Sequence, residues 1–473
     1  MKVKSIPSSW ISRDGLRLDC NPYMSGALEA RIRLEKLACK KERLADLTKG
    51  HDGGIYNGPQ FIRNYVEDPE YGVPFLGTSS MLRADLSDLP LLKKKDAFSA
   101  RLDYLKIEPG MTLISCSGTI GRMVYVRPGM DAIWSNQDIL KVVPDREKIP
   151  PGYLYAFLSS KFGVPLVTSG TYGAIIQHIE PEHIAGLPVP RMGDKIEREI
   201  HQSVERSAYL LDRYQEGINS ATEQVFCGTH IPNPTREEWF SDTSDLAFAV
   251  QSSELHVLRA WNHSRRANAI RHAVKRGDYS LLGEVISNDW LKWRVMFKRI
   301  DAQGDHGIEV ITQRPLFALN PEGRWVSRAY LLGLSEKYLV PDRTTLIAKQ
   351  GTLGEQELYC RCEYVTGERM LKRAYSDHCM RIVADPARIH PGYLFAFLRS
   401  GAGFRLLRSM SEGAKQQDLH WLRVPKIPIP RKARQEESAI GQLVDSAYQD
   451  RIEALVLLQT ARAKIESAIE GAS

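Results

Sequence analysis

Two hydrophobic patterns alternate along this chain, and each is used twice. After Arg191-Met-Gly-Asp194, apolar residues recur at Ile196, Ile200, Val204, Leu211, Ile218 and Val225. Steps of three, four or their sum keep them on one stripe of a helix. A second such run carries Ile440, Val444, Ala447, Leu455, Leu458, Ala461 and Ile465, with Arg, Glu and Lys among the other positions. About 30 residues of helix reach ~45 Å. A single amphipathic helix of that length needs a partner stripe to bury its face. The economical partner is the other copy, which predicts pairing through Ile200, Val204, Leu211, Ile218, Val444, Leu455, Leu458 and Ile465. A face packed on its own domain is the plain alternative.

The second pattern is a mixture of short strands and helices. Met111-Thr-Leu-Ile114 and Thr345-Leu-Ile-Ala348 are apolar runs bounded by Gly, Pro and Asp, as strands are. Each is followed by a Gly-Thr-x-Gly turn, at 118–121 and 351–354. Tyr153–Leu158 and Tyr393–Leu398 follow Pro-Gly and read as short buried helices. The Pro-x-Pro pairs at 188–190 and 428–430 then force extended chain.

These parallels are one long internal repeat. Pro151-Gly-Tyr-Leu-Tyr-Ala-Phe-Leu158 returns as Pro391-Gly-Tyr-Leu-Phe-Ala-Phe-Leu398, seven of eight positions identical at an offset of 240. The same offset maps Leu187-Pro-Val-Pro-Arg191 onto Ile427-Pro-Ile-Pro-Arg431, Gly173 onto Gly413, Gln177 onto Gln417, and Lys141-Val-Val143 onto Arg381-Ile-Val383. With slight slippage Asn21 pairs with Asn262. The period far exceeds that of solenoid repeats, so each copy is a domain with its connector. The expected fold class is α+β: two mixed α/β domains separated by two long antiparallel coiled-coil helices, with an internal pseudo-twofold repeat. The expected divisions are 1–193, helix 194–230, 231–433 and helix 434–473.

Composition narrows the function classes without choosing one. At 473 residues, 43% hydrophobic and 26% charged, the chain is an ordinary globular protein of more than one domain. No run of apolar residues approaches a membrane span, and Met1-Lys-Val-Lys-Ser-Ile-Pro7 lacks a signal-peptide core. Seven scattered cysteines make no disulfide framework. The reading is a reduced, soluble, cytoplasmic protein. The net charge of +7 permits a nucleic-acid partner.

Catalytic signatures are missing from the sequence. There is no phosphate-binding Gly-x-x-x-x-Gly-Lys-Ser/Thr loop and no dinucleotide fingerprint. Asp19-Cys-Asn-Pro-Tyr23 is like the acidic-or-amide-Pro-Pro-aromatic motif of amino-methyltransferases, but its second proline is absent. Cys360, Cys362, His378 and Cys379 have unusual spacing for structural zinc and no first-copy counterparts. No catalytic or metal-ligating residue is therefore assigned. Basic runs offer contacts to phosphates: Lys93, Lys94 and Lys95 in the first copy, and Lys292, Arg294, Lys298 and Arg299 around Trp290 and Trp293 in the second. A second basic window holds Arg265, Arg266, Arg271, Lys275 and Arg276. Ser117, Thr119, Lys349, Gln350 and Thr352, in or beside the Gly-Thr-x-Gly turns, and Tyr172, Gln177, Lys415 and Gln417 complete the candidate DNA-binding set. A glutamine grips an adenine edge, and an Arg or Lys grips guanine. A solvated charged face, a plain hairpin turn and ordinary side-chain bonding are the structural alternatives.

The ordered, duplicated motif set resembles the specificity (S) subunit of type I restriction–modification systems. The segments that carry the resemblance are Leu16-Arg-Leu-Asp-Cys-Asn-Pro-Tyr23, Ser115-Cys-Ser-Gly-Thr-Ile-Gly121, Pro151–Leu158 and Leu187–Arg191, with their second copies. The second copy departs at Trp261-Asn-His263 and at Lys349-Gln-Gly-Thr-Leu-Gly354. The resemblance implies a non-catalytic chain whose two target-recognition domains each read one half of a bipartite, asymmetric duplex DNA site, with the paired helices as a ruler. Its partners would be two modification subunits that methylate adenine with S-adenosylmethionine, and restriction–translocase subunits that use ATP and Mg²⁺. None of those cofactors would bind this chain. Other readings are a methylation-only or other phage-defence complex, a protein–protein adaptor, and a nuclease with a dispersed acidic site.

Overall fold

The computed structural model describes residues 3–13, 21–169, 178–245, 247–252, 255, 257–291, 298–330 and 338–471. Its axis is the pair of long helices, Asp194–Phe226 and Arg434–Gly471. Asp194 and Glu197 stand in the first turn of one, Glu436 and Glu437 in that of the other, where a carboxylate complements the helix dipole.

The helices run antiparallel, as the shared stripe requires. Glu199 near the start of the first forms an ion pair with Lys464 near the end of the second. Further along, the Ser207 hydroxyl donates to the Ala454 carbonyl at 2.9 Å. Tyr214 and Tyr448 meet edge to face with ring centroids 5.3 Å apart. At Gly217 a methyl group would lie 2.9 Å from Ala447 Cβ, so glycine there admits the close approach. Ile200, Val204, Ile218, Val444 and Ile465 are almost wholly buried, and Leu211 and Leu458 nearly so. Leu455 is only half-buried, while its neighbour Leu457 packs with Leu210, Leu211 and Ala454.

Both sequence alternatives for these helices are realised at once. Ile200, Val204 and Ala208 share one core with Leu458, Ala461 and Ile465 of the partner helix and with the first head. Tyr214, Ile218 and Val225 share another with Ile440, Val444 and Ala447 and with the second head. The heads therefore sit at opposite ends of the helix pair. Each helix buries one side on its partner and another on the heads.

The heads repeat the same topology. In the first, Ile55–Tyr56, Ile139–Val142, Thr112–Ser115 and Met123–Tyr125 form a four-stranded antiparallel sheet. In the second, Cys379–Ile382, Thr344–Ala348 and Cys362–Val365 take the places of its last three strands. An outer sheet follows the same plan. Leu91–Lys93 pairs antiparallel with Gly72–Leu76, which pairs parallel with Trp134–Ser135. Arg324–Ser327, Gly307–Ile311 and Ala374–Tyr375 repeat it. The Pro-x-Pro segments are strands, one beside Lys41–Arg43 and the other beside Tyr279–Leu281.

Side-chain bonds are duplicated as well. The Tyr153 hydroxyl donates to the Pro190 carbonyl, and that of Tyr393 to Pro430 at 2.8 Å. Arg191 grips the buried carboxylate of Glu197, and Arg431 that of Glu437. A buried cation sits mid-strand in each head. Lys141 donates to the carbonyls of Asn136 and Ile139, at 3.1 and 2.8 Å. Arg381 donates to those of Cys379 and Tyr375, at 3.1 and 2.7 Å.

Candidate nucleic-acid interface

The described part of the basic runs lies on the outer sheets, at matching places. Lys93 ends its strand exposed, and Lys95 is exposed in the short helix Lys94–Ala97 that follows. Lys94 is tied down, its ammonium donating to the Glu70 carbonyl at 2.7 Å. In the second head Lys298 and Arg299 are exposed beside the strand Arg324–Ser327, where the Ser327 N–H bonds the Ile300 carbonyl. Lys292, Arg294, Tyr172 and Gln177 lie outside the described residues.

Exposed aromatic side chains accompany both runs. Tyr65, Tyr71 and Phe98 surround the lysines of the first head. In the second, Trp325 and Tyr330 are exposed, and the Lys298 ammonium lies 5.9 Å from the Tyr330 ring centre. Cations neutralise phosphates, and exposed rings stack on bases or rest on sugars. The sequence reading missed these five aromatics. Their signal was alternation: Tyr65, Tyr71 and Trp325 occupy or flank short outer strands whose other faces are buried.

The two Gly-Thr-x-Gly segments are not the same turn. Gly118 and Gly121 adopt positive φ of 73° and 76°. The Gly121 N–H already bonds the Ser115 carbonyl at 2.9 Å, and the Arg122 N–H bonds the Ser115 hydroxyl. Gly351 instead belongs to the short strand Gln350–Gly351, which pairs with Gln417–Leu419. Thr119 and Thr352 are exposed in both, while Ser117 is half-buried and bridges to His178.

Three second-head candidates are turned inward. Lys349 is buried, 3.1 Å from Asp377. The Gln350 amide donates to Asp418 at 2.8 Å, its oxygen meets His378, and its backbone N–H bonds Gln313. Gln417 is buried; its oxygen accepts from Arg259 at 2.6 Å and its amide donates to the Ala414 carbonyl. With both ends engaged, neither glutamine offers a free edge to a base in this structure. Lys415 stands exposed at the tip of the hairpin between Ser411–Gly413 and Gln417–Leu419.

The basic helix Arg265–Lys275 is likewise anchored in part. Arg266 pairs with Asp245 at 2.8 Å and lies over Trp239, and Arg271 donates to Ser409. Asn262 donates to the carbonyls of Ser409 and Ser411, so this second-copy counterpart of Asn21 secures local backbone.

Metal chemistry finds no cluster: among the described residues no three of His, Cys, Asp and Glu come together. Cys360 and Cys379 fall in different cores. Burial raises both thiols, to about 12 and about 11, so they remain protonated. No helix among the described residues is long and apolar enough to cross a membrane.

No protein family and no curated relative matches the chain. Solved structures do. The type I restriction–modification S subunit from M. genitalium is 11% identical, with 92% of this chain and 96% of that one covered at a TM-score of 0.35. The HsdS subunit from Thermoanaerobacter tengcongensis is 11% identical, with 92% and 97% covered and a TM-score of 0.26. A structure described by complex assembly and conformational transition of the type I R-M system is 13% identical, with 92% and 98% covered and a TM-score of 0.27. The chain is thus similar, along most of its length, to specificity subunits of type I restriction–modification systems.

Proposed function

We propose that this chain is a non-catalytic DNA-recognition subunit of a type I restriction–modification complex. One observation carries the reading. Two topologically equivalent heads stand at opposite ends of one antiparallel helix pair, and each bears exposed cations and rings on the same outer sheet. Such a body contacts an elongated polyanion at two places. Because the side chains on the two outer sheets differ, the two half-sites differ, and the target is bipartite and asymmetric. Phosphate contacts position each head, and base-edge contacts give the sequence.

Two methyltransferase subunits dock on this scaffold and supply S-adenosylmethionine chemistry. Restriction–translocase subunits add ATP and Mg²⁺ chemistry. This chain supplies the address and holds none of those cofactors.

The test is selection from a pool of randomised duplex DNA by the purified full chain, alone and with co-purified methyltransferase subunits. The expected result is two short specified segments with a constant unread gap, bound more weakly as salt rises. Selection of no sequence, binding indifferent to salt, or Mg²⁺-dependent cutting by the chain alone overturns the reading.

A further inference from the structure

The two heads touch each other directly, across the helix pair. Leu82–Ala84 of the first head runs antiparallel to Phe317–Leu319 of the second. The Ala84 N–H bonds the Phe317 carbonyl at 3.0 Å, and the Leu319 N–H bonds the Leu82 carbonyl at 2.7 Å. Arg83 and Ala318 are the central bridge pair. These segments are equivalent in the repeat, because Arg83 lies seven residues beyond the strand Gly72–Leu76 and Ala318 seven beyond Gly307–Ile311. The bridge therefore lies on the pseudo-twofold axis, where a segment meets its own copy.

The contact is built into the packing. Ala84 is buried in the core of the opposite head. Asp85 accepts from Arg399 of the second head at 2.7 Å and from Gln215 of the first long helix at 3.0 Å. Arg399 also donates to Ser87, Asn219 and Thr222. Asp88 pairs with Arg361 at 2.6 Å. On the other strand, Arg451 of the second long helix donates to the carbonyls of Ala318 and Leu319, at 2.7 and 3.0 Å. Both segments are thus bonded to each other and to the helices beneath.

Helices that meet along one stripe set an axis, but their contact leaves sliding by a turn and bending as the soft motions. A backbone bridge on the symmetry axis removes both. We propose that this clasp fixes the separation and rotation of the heads, and that Leu82–Asp88, Phe317–Leu319 and Arg399 determine the length of the unread gap in the DNA target. The inference rests on the DNA-recognition reading above. It moves the ruler from the helices alone to the helices with their clasp. One extra base pair displaces a half-site by ~3.4 Å along the duplex and rotates it, which a rigid clasp does not follow.

Two variants of the full chain test it, with duplexes carrying the selected half-sites at gaps from two base pairs shorter to two longer. In Asp85→Asn with Asp88→Asn the side chains stay isosteric and the charges go. The wild type should discriminate against a one-base-pair change of gap by about tenfold or more, as for a mismatched pair. The double variant should reduce that discrimination to within about threefold while still preferring the same half-site sequences. Unchanged gap discrimination overturns the proposal.

The second variant is Arg83→Cys with Ala318→Cys, a non-hydrogen-bonded antiparallel pair in which side chains approach most closely. Its oxidised form, cross-linked as read by electrophoresis, should bind the native-gap duplex as the reduced form does. Loss of binding on oxidation, restored by reductant, means that the heads part on DNA and overturns the proposal. If the wild type selects no two-part site, the recognition reading fails, and the clasp's role fails with it. A two-part site with indifferent clasp variants removes the clasp alone.

Discussion

His390 fills the space that a side chain on Gly441 would need: a methyl group there would lie 1.9 Å from the imidazole Nδ1. That Nδ1 accepts the Gly392 N–H at 3.2 Å, at the start of the buried helix Pro391–Arg399. In the first unit the equivalent helix is served by His201 of the first long helix, whose Nδ1 accepts the Gly152 N–H at 3.1 Å. His201 stands where the repeat places Gly441, and Pro150 stands where it places His390. The same orphan donor is satisfied by imidazoles arriving from opposite sides. Gly441→Ala should therefore destabilise by about 1–3 kcal/mol through overpacking. A fall of several degrees in the thermal midpoint checks it.

These imidazoles make stability depend on pH in one direction. Burial lowers the pKa of both His201 and His390. Each must be neutral to accept its N–H. The unfolded chain therefore takes up a proton first, near pH ~6.5, and stability present above that pH is lost as pH falls below it. Urea midpoints at pH 8 and 5.5 should show the loss. Replacing both histidines with Gln should shrink that difference.

Charge placed in the helix seam should unfold the pair. Val444 and Ile200 are fully desolvated between the helices and the heads. Val444→Asp or Ile200→Asp should cost several kcal/mol, since each places a carboxylate where no water reaches it. Leu455→Asp, at a half-buried position, should cost less. Denaturant midpoints across the three variants test the ordering.

The two mid-strand cations should differ in titration. Burial brings the Lys141 ammonium down to about 7. In the unfolded chain it titrates near ~10.4. Between these values the unfolded state binds more protons, so stability rises with pH by at most ~1.4 kcal/mol per unit. Lys141→Met should remove that rise. Arg381→Met should leave it, because a guanidinium stays charged throughout. Unfolding between pH 7 and pH 10 decides.

Exposed and inward candidates should separate in binding experiments. Lys93→Ala, Lys95→Ala and Lys298→Ala should each weaken duplex binding across sequences and reduce the salt slope by about one. Gln417→Ala should lower stability, because it strips the Arg259 partner, and leave the selected bases unchanged. Binding across a salt series, with the selected sequence read out for each variant, tests both.

Much of this architecture was legible in advance, for local reasons. A long helix declares its stripe because burial recurs every three or four residues, and Ile200 to Ile218 obeyed that period. The repeat was legible because Tyr153 and Tyr393 hold the same carbonyl, and Arg191 and Arg431 the same carboxylate, which restricts those positions in both copies. The inward setting of Gln350 and Gln417 was not legible, because a polar residue type does not disclose which way its amide points. Their partners Asp418 and Arg259 are distant in sequence and meet them only on folding.

From its sequence alone, the chain is determined to be a duplicated α+β protein with two amphipathic helices and basic runs in each copy, because periodicity and identity at a set offset are properties of the linear order. Only the tertiary structure decides that each helix is buried on both its partner and the heads, that rings join the cations on the outer sheets, and that Arg83 meets Ala318 on the symmetry axis. The helix seam and the bridge join residues more than two hundred positions apart. They depend on packing geometry in three dimensions, which no local pattern encodes.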